Sequence, residues 1–332
     1  MRRVLVLALL LVTGACQGVG PRLIQADKVN YAETLLNAEK RQLLLNILRV
    51  HDADVPSVVI VDQIVAGYER RLGGSIGNTI ARDLDFTGDF GVRAEGTFVD
   101  RPTYTFKPLR GANYARVILR PIPPVELAGL IVGGADLQTA LGLALRRING
   151  VPNESTGGTG DFATIVQLLE SLRDDGRLEV DFEARERVFL SFARSSETAD
   201  DPRVREVIER LRLDPAAERY EIVLGAVPRR SDELALLTRP LIEILSVVAT
   251  GVAAPEAPEA VVPVGAPIRI LSEGVLSLPS DAFVSATYRG RRYWIDVDDV
   301  VSKRAFSMLL LLTTIIQRDD AAPQAVLTIP VN

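Results

Sequence analysis

The chain changes its hydrophobic period several times, and each change marks an element. Leu36, Leu43, Leu44 and Ile47 recur at helical spacing, which predicts a helix over about Tyr31–Val50, with Asn30 and Glu33 placed as a capping box at its start. From Val58 the period falls to two. Val58, Ile60, Ile64, Ala66, Tyr68, Leu72, Gly74, Ile76 and Ile80 make one set, and Gln63, Glu69, Arg71, Ser75 and Thr79 the other, the pattern of a half-buried strand. Phe86, Gly88, Phe90, Val92, Ala94, Gly96 and Phe98 repeat it against Asp85, Thr87, Asp89, Arg93, Glu95 and Thr97. The two runs meet at Ala81-Arg82-Asp83-Leu84 and predict a long, Gly-rich amphipathic β-hairpin near residues 58–99.

Helical periods return at about Ala112–Leu119, Pro124–Val132 and Leu137–Ile148, the last closed by Asn149-Gly150 in a C-cap arrangement. The Gly/Ser/Thr-rich stretch Val151–Gly160 is a candidate boundary. Beyond it the pattern predicts helix at Phe162–Leu172, strand at Leu178–Phe192, helix at Asp201–Leu213, strand at Tyr220–Leu224 and helix at Asp232–Ala249. Ala249–Pro267, with repeated Ala-Pro and Pro-Glu steps, reads as a stiff extended loop. Strands at Ile268–Leu271, Ala282–Tyr288 and Arg292–Val297, a helix at Val300–Gln317 and a strand at Ala325–Pro330 complete the chain. The fold class expected is therefore α+β, with mixed helices and antiparallel strands. Residues 26–150 would hold the first helix, the hairpin and a helical segment, and residues 161–332 a C-terminal α+β domain carrying the Pro/Ala-rich loop 249–267.

The first residues follow another logic. Met1-Arg2-Arg3 is a positive n-region, Val4–Val12 an unbroken apolar run, and Thr13-Gly14-Ala15 a small-residue stretch before Cys16, together a secretory leader. The apolar run is well short of the roughly 20 residues of a spanning helix. The junction resembles a lipobox, with Thr13 where Leu is usual, so residues 1–15 are read as a lipoprotein signal peptide, Cys16 as the acylated first residue of the mature protein and 16–25 as its tether. Cys16 is the single cysteine, which excludes an intramolecular disulfide. Gln17 follows it where Asp would favour the inner membrane, so the expectation is a protein anchored to the cell outer membrane and facing the periplasm.

Several stretches together resemble a family of lipoproteins of unknown function from Gram-negative bacteria: Gln42 through Arg49, Pro102 through Gly111, Pro121-Ile122-Pro123, Arg147-Ile148-Asn149-Gly150, Tyr293-Trp294-Ile295, Ser302-Lys303-Arg304 and Leu327-Thr328-Ile329-Pro330. The likeness covers nearly the whole mature chain, yet it implies no activity and carries over no catalytic residue.

Charge and chemistry narrow the function classes. The net charge of −5 falls to −7 once Arg2 and Arg3 leave with the leader, and an acidic chain without a basic block is a poor partner for nucleic acid. Gly73-Gly74-Ser75-Ile76-Gly77 has the spacing of a nucleophile elbow, but strand pattern continues after it and the single histidine, His51, precedes it. His51, Asp52 and Asp54 offer too few imidazoles for a catalytic zinc, and His51 reads better as a helix C-terminal cation. Asp296, Asp298 and Asp299 lack the EF-hand spacing, and Asp298 or Asp299 as N-cap of the helix that follows accounts for them better. Tyr293 and Trp294 alternate along a strand, so one ring should be core and the other exposed. No P-loop, CxxC, HExxH or dinucleotide fingerprint occurs, and no cofactor or metal is implied.

The reading is a lipid-anchored envelope protein, not an enzyme, acting by binding or assembly through its lipid and an envelope protein or a second copy of itself. In the commonest form of this arrangement the hairpin packs one face on its own helices. The alternative is a subunit of an oligomeric outer-membrane pore or export complex, with Phe86, Phe90, Val92 and Phe98 facing lipid. A carboxylate-based hydrolase is a further alternative without a motif of its own.

Overall fold

The computed structural model describes residues 19–65, 68–78, 90–100, 103–154, 160–183, 187–193, 201–253, 265–273 and 282–317. Cys16, Phe86, the turn at 81–84 and the strand expected at 325–330 lie outside them. The fold is α+β, and the chain divides into two compact units, residues 57–114 and the remainder.

Residues 57–114 hold four strands: β1 (Val59–Val65), β2 (Tyr68–Asn78), β3 (Phe90–Asp100) and β4 (Thr103–Pro108). β1 pairs antiparallel with β4, and β2 with β3. Val65 opposes Thr103 and Tyr68 opposes Asp100, a step of three residues on both sides, so the two ladders keep the same offset; the unit they form is called the ribbon below. The register shifts between Val61 and Gln63, which makes Asp62 an extra residue in β1. Simple alternation sets Val58 and Ile60 with Ile64. The bulge instead puts Val59 and Val61 on Ile64's side of the ladder, the side of Tyr104 and Phe106.

In the other unit, a helix α1 (Val19–His51) precedes the ribbon. It runs helical from Val19, through the stretch expected as a tether, so Asn30 and Glu33 fall inside it and no capping box forms there. Leu43, Leu44, Ile47 and Leu48 are buried. After α2 (Gly111–Leu119), where the two units join, come α3 (Pro124–Val132) and α4 (Leu137–Ala144), then β5 (Leu145–Ile148), β6 (Val151–Pro152), α5 (Asp161–Asp174), β7 (Leu178–Glu183), β8 (Arg187–Phe192), α6 (Pro202–Leu211), β9 (Tyr220–Leu224), β10 (Glu233–Thr238) and α7 (Leu241–Ala249). β11 (Leu271–Glu273), β12 (Ala282–Tyr288), β13 (Arg291–Asp296) and α8 (Val300–Gln317) follow.

Six of these strands form a mixed sheet in the order β6-β5-β10-β9-β8-β7, with β9 and β10 parallel. It takes strands from both sides of the loop read as a candidate boundary, which therefore lies within one sheet. Two expected helices are cut short by strands. Leu145–Ile148 leaves the helical path to pair with β10, and Asn149 (φ 45°) and Gly150 (φ 84°) form the turn into β6, not a helix C-cap. Leu234, Ala235 and Leu236 are buried in a central strand despite their helical propensity, because a strand between two neighbours is apolar on both faces and loses its period-two signal. Asn149 locks this corner: its Nδ2 donates to the Leu211 carbonyl at 2.9 Å and its Oδ1 accepts from the Ala235 N–H at 2.5 Å. The smaller sheet, β11-β13-β12, has β13 at its centre.

Candidate functional site

In the ribbon, pairing and patterning coincide. Leu72 opposes Gly96, Gly74 opposes Ala94 and Ile76 opposes Val92, so the apolar positions of both strands share one face of the ladder. Arg71 and Thr97, Gly73 and Glu95, and Ser75 and Arg93 share the other. A slip of one residue would exchange these sets. Phe90, Val92 and Phe98 sit on the apolar face at the rungs of Asn78, Ile76 and Arg70. Arg70 lies near one end of the eleven-rung ladder and Asn78 closes the other, leaving Leu72 to Ile76 and their partners Val92 to Gly96 as an uninterrupted small and apolar band.

At about 3.3 Å per residue the β2–β3 ladder is about 35 Å long. Among the described residues β2 pairs with β3 alone and β1 with β4 alone, so each strand keeps one edge unmatched by another described strand. Such edges invite further pairing, and an isolated two-stranded ribbon is marginal in water. Gly73, Gly74, Gly77, Gly91 and Gly96 weaken it further, since strand glycines lose more entropy and bury nothing. Ser75 is a mid-strand residue opposite Arg93, far from the strand-to-helix turn that a nucleophile elbow requires.

The other candidate residues, all in the second unit, have structural partners. His51 ends α1, and its Nδ1 donates to the Ala249 carbonyl, the last residue of α7, at 3.2 Å; it thus serves the C-terminus of a second helix as well as its own. Asp52 pairs with Arg289 at 2.9 Å, and Asp54 accepts from the Val55 N–H at 2.7 Å and the Tyr288 hydroxyl at 3.3 Å. Asp299 caps α8, taking the Ser302 N–H at 3.0 Å and its hydroxyl at 2.8 Å, while Asp296 accepts from the Asp298 N–H. Among the described residues no three His, Cys, Asp or Glu converge on a metal-sized space. Tyr293 and Trp294 are both buried, where alternation left one ring exposed. β13 is the middle strand of its sheet, and side chains on either face of a middle strand can be covered. Burial pushes the Tyr293 phenol above its usual value.

Two polar centres combine near neighbours with partners distant in sequence, and the distant half escapes pattern reading. Arg239 is 3% exposed. Its Nη1 donates to the carbonyls of Gly142 (2.8 Å) and Leu143 (3.1 Å), and Glu243 lies 3.3 Å from its Nε. It therefore caps the C-terminus of α4 with charge, and desolvation pulls its pKa down against the pull of Glu243. Asp201 caps α6 through the Arg203 N–H and takes ion pairs from Arg203 (2.9 Å) and Arg177 (2.8 Å). The hydrogen bond from Arg203 is the main cause that lowers its carboxyl to about 2. Arg203 also reaches Ser171 and Asp175 at the end of α5, so the cluster splices two helices and is structural.

No protein-family model, no characterised protein and no solved structure matches this chain.

Proposed function

We propose that the protein is a lipid-anchored module of the cell envelope that works by assembly, held at the outer membrane by an acylated Cys16 and offering the ribbon of residues 57–114 to an envelope protein or to further copies of itself. The observation that carries this reading is the agreement of register and pattern in β2 and β3. A ribbon with one apolar face and two strand edges gains stability from whatever covers that face and pairs those edges. Catalysis has no comparable support: His51, Asp52 and Asp299 serve a cap or an ion pair, Asp54 holds a loop N–H and the Tyr288 hydroxyl, and Ser75 is a strand rung.

The pore reading gains from the same ladder. Tilted by about 40°, a strand 35 Å long rises about 27 Å, close to the apolar band of about 25 Å of outer-membrane barrels. Arg70 and Asn78 then fall toward the two interfaces, where polar residues on a lipid-facing strand cost least. One hairpin cannot close a barrel, because open edges are not tolerated in hydrocarbon, so about four copies are the minimum for the smallest usual barrel of eight strands.

The anchor is tested by Cys16→Ser. The substitution should abolish palmitate labelling and release the protein from the membrane fraction; labelling that persists contradicts the anchor. Planar-bilayer conductance of the detergent-extracted protein separates the two forms of assembly. Conductance that vanishes on deleting Leu72–Phe98 favours the pore, and an oligomer without conductance favours docking outside the bilayer.

A further inference from the structure

A cavity of about 620 Å3 opens in the unit built from residues 1–56 and 115–332, within the span of roughly 300–1,000 Å3 usual for small-molecule sites. Its walls come from α4, the first turns of α5 and α8, β6 and the turn at 265–267. Leu143, Phe162, Val166 and Ala305, all core side chains, supply its apolar surface.

Two glycines are among the residues that line it. Gly142 lies within α4 and Gly160 just before α5, and a Cβ at either would meet no atom within 4 Å. Glycine is a poor helix former, so a glycine in α4 facing empty space sacrifices local stability at the point where a larger side chain would narrow the cavity. Val301, at the rim, is 74% exposed, an apolar side chain that an occupant would cover.

The polar part of the rim carries both signs. Arg304 stands 3.5 Å from Asp136, Asp161 is paired with Arg210 at 2.6 Å, and Glu154 adds a second carboxylate. The two pairs cancel and leave one carboxylate, Glu154, which is exposed and screened by solvent, so the rim disfavours an anionic head and gives a cationic one little attraction. Asn153 spends both amide hydrogens on the carbonyls of Gly142 and Leu145 at 2.8 Å, which leaves its own carbonyl oxygen as an acceptor beside the cavity.

We propose that this cavity binds a single-chain amphiphile, one alkyl or acyl chain of medium length bearing an uncharged, hydrogen-bonding head of the glycerol type. The chain lies along Leu143, Phe162, Val166 and Ala305, and the head meets Asn153 and the mixed-charge rim. This site is independent of the assembly role of the ribbon.

Titration calorimetry of the full chain with monomeric 1-dodecanoylglycerol tests it. Saturable one-to-one binding is expected, weakened about tenfold or more by Gly142→Leu, which fills the cavity, and kept within about threefold by Gly142→Ala. Val301→Asp, at an exposed position that leaves the core alone, should weaken binding about fivefold and serves as the second variant if Gly142→Leu does not fold. Dodecanoate and dodecyltrimethylammonium should each bind more weakly than the glycerol ester. Absence of saturable binding, or equal binding by a folded Gly142→Leu and by Val301→Asp, overturns the site. Tighter binding of either charged amphiphile overturns the assignment of the head.

Discussion

The ribbon of residues 57–114 and the sheet of six strands meet the same requirement, partners for backbone groups and cover for apolar side chains, in opposite ways. In the sheet, β10 lies between β5 and β9, Leu234, Ala235 and Leu236 are 0–3% exposed, and Arg239 holds the carbonyls that α4 leaves over. In the ribbon, eleven rungs are shared by two strands rich in glycine. The sheet is stabilised by its own chain. A ribbon so constructed is stabilised by what it meets, and this contrast is why assembly is assigned to residues 57–114 and structural integrity to the remainder.

The largest effect is expected on removing the ribbon. Replacing Leu72–Phe98 by a short Gly/Ser linker should abolish the oligomer in detergent, read by native mass spectrometry, while the thermal unfolding midpoint of the remaining unit stays put. Loss of the folded signal would mean that the ribbon supports the other unit and that the division is false. Next in size, Arg239→Met should destabilise the sheet-containing unit by about 3 kcal/mol in denaturant melts, because Glu243 and two helix-terminal carbonyls lose a buried charged partner. A change below about 1 kcal/mol would contradict the capping role.

Asp201→Asn should cost about 1–2 kcal/mol. Its sign follows from the depressed folded-state pKa of about 2. The stabilisation is fully present above the unfolded value near 4, and it is lost as pH falls from there through about 2. The variant should therefore converge with the parent in stability across that interval, and a constant gap between pH 5 and pH 2 would remove Asp201 from the account. His51→Ala is the smallest, about 0.3–1 kcal/mol through the two helix C-termini it serves, with membrane association and oligomer mass unchanged. Complete loss of assembly with the fold intact would reopen a chemical role for His51.

How far the sequence foretold this depends on the kind of signal. Half-buried strands and amphipathic helices announce themselves by period, so Pro124–Val132, Ala282–Tyr288 and Val300–Gln317 fall where the pattern puts them, and β2 and β3 carry the alternation that their pairing then matches. Buried strands do not announce themselves. Leu145–Ile148 and Glu233–Thr238 lie in runs of Leu and Ala that suit a helix, and only the sheet around them decides otherwise. The bulge at Asp62 is invisible because one extra residue changes no composition, only parity. Asn149-Gly150 signalled a turn, but whether that turn ends a helix or joins two strands depended on β10. Arg239, the pairing of Asp201 with Arg177 and the cavity beside Gly142 share a reason for going unread: each is defined by groups brought together from separated elements. Asp299 was legible, since an N-cap acts over three residues.

An assembling ribbon must use the edges of β2 and β3. In an isolated antiparallel pair about half of the amides point away from the partner strand and exchange with solvent, whereas in an assembly both edges are paired. The direct test is residue-resolved hydrogen exchange across Tyr68–Asn78 and Phe90–Asp100 in the full-length, detergent-extracted protein. Protection is expected at consecutive residues along both strands, relaxing to alternate residues when the oligomer is diluted to monomer. Alternate or absent protection in the concentrated, membrane-extracted protein would contradict it.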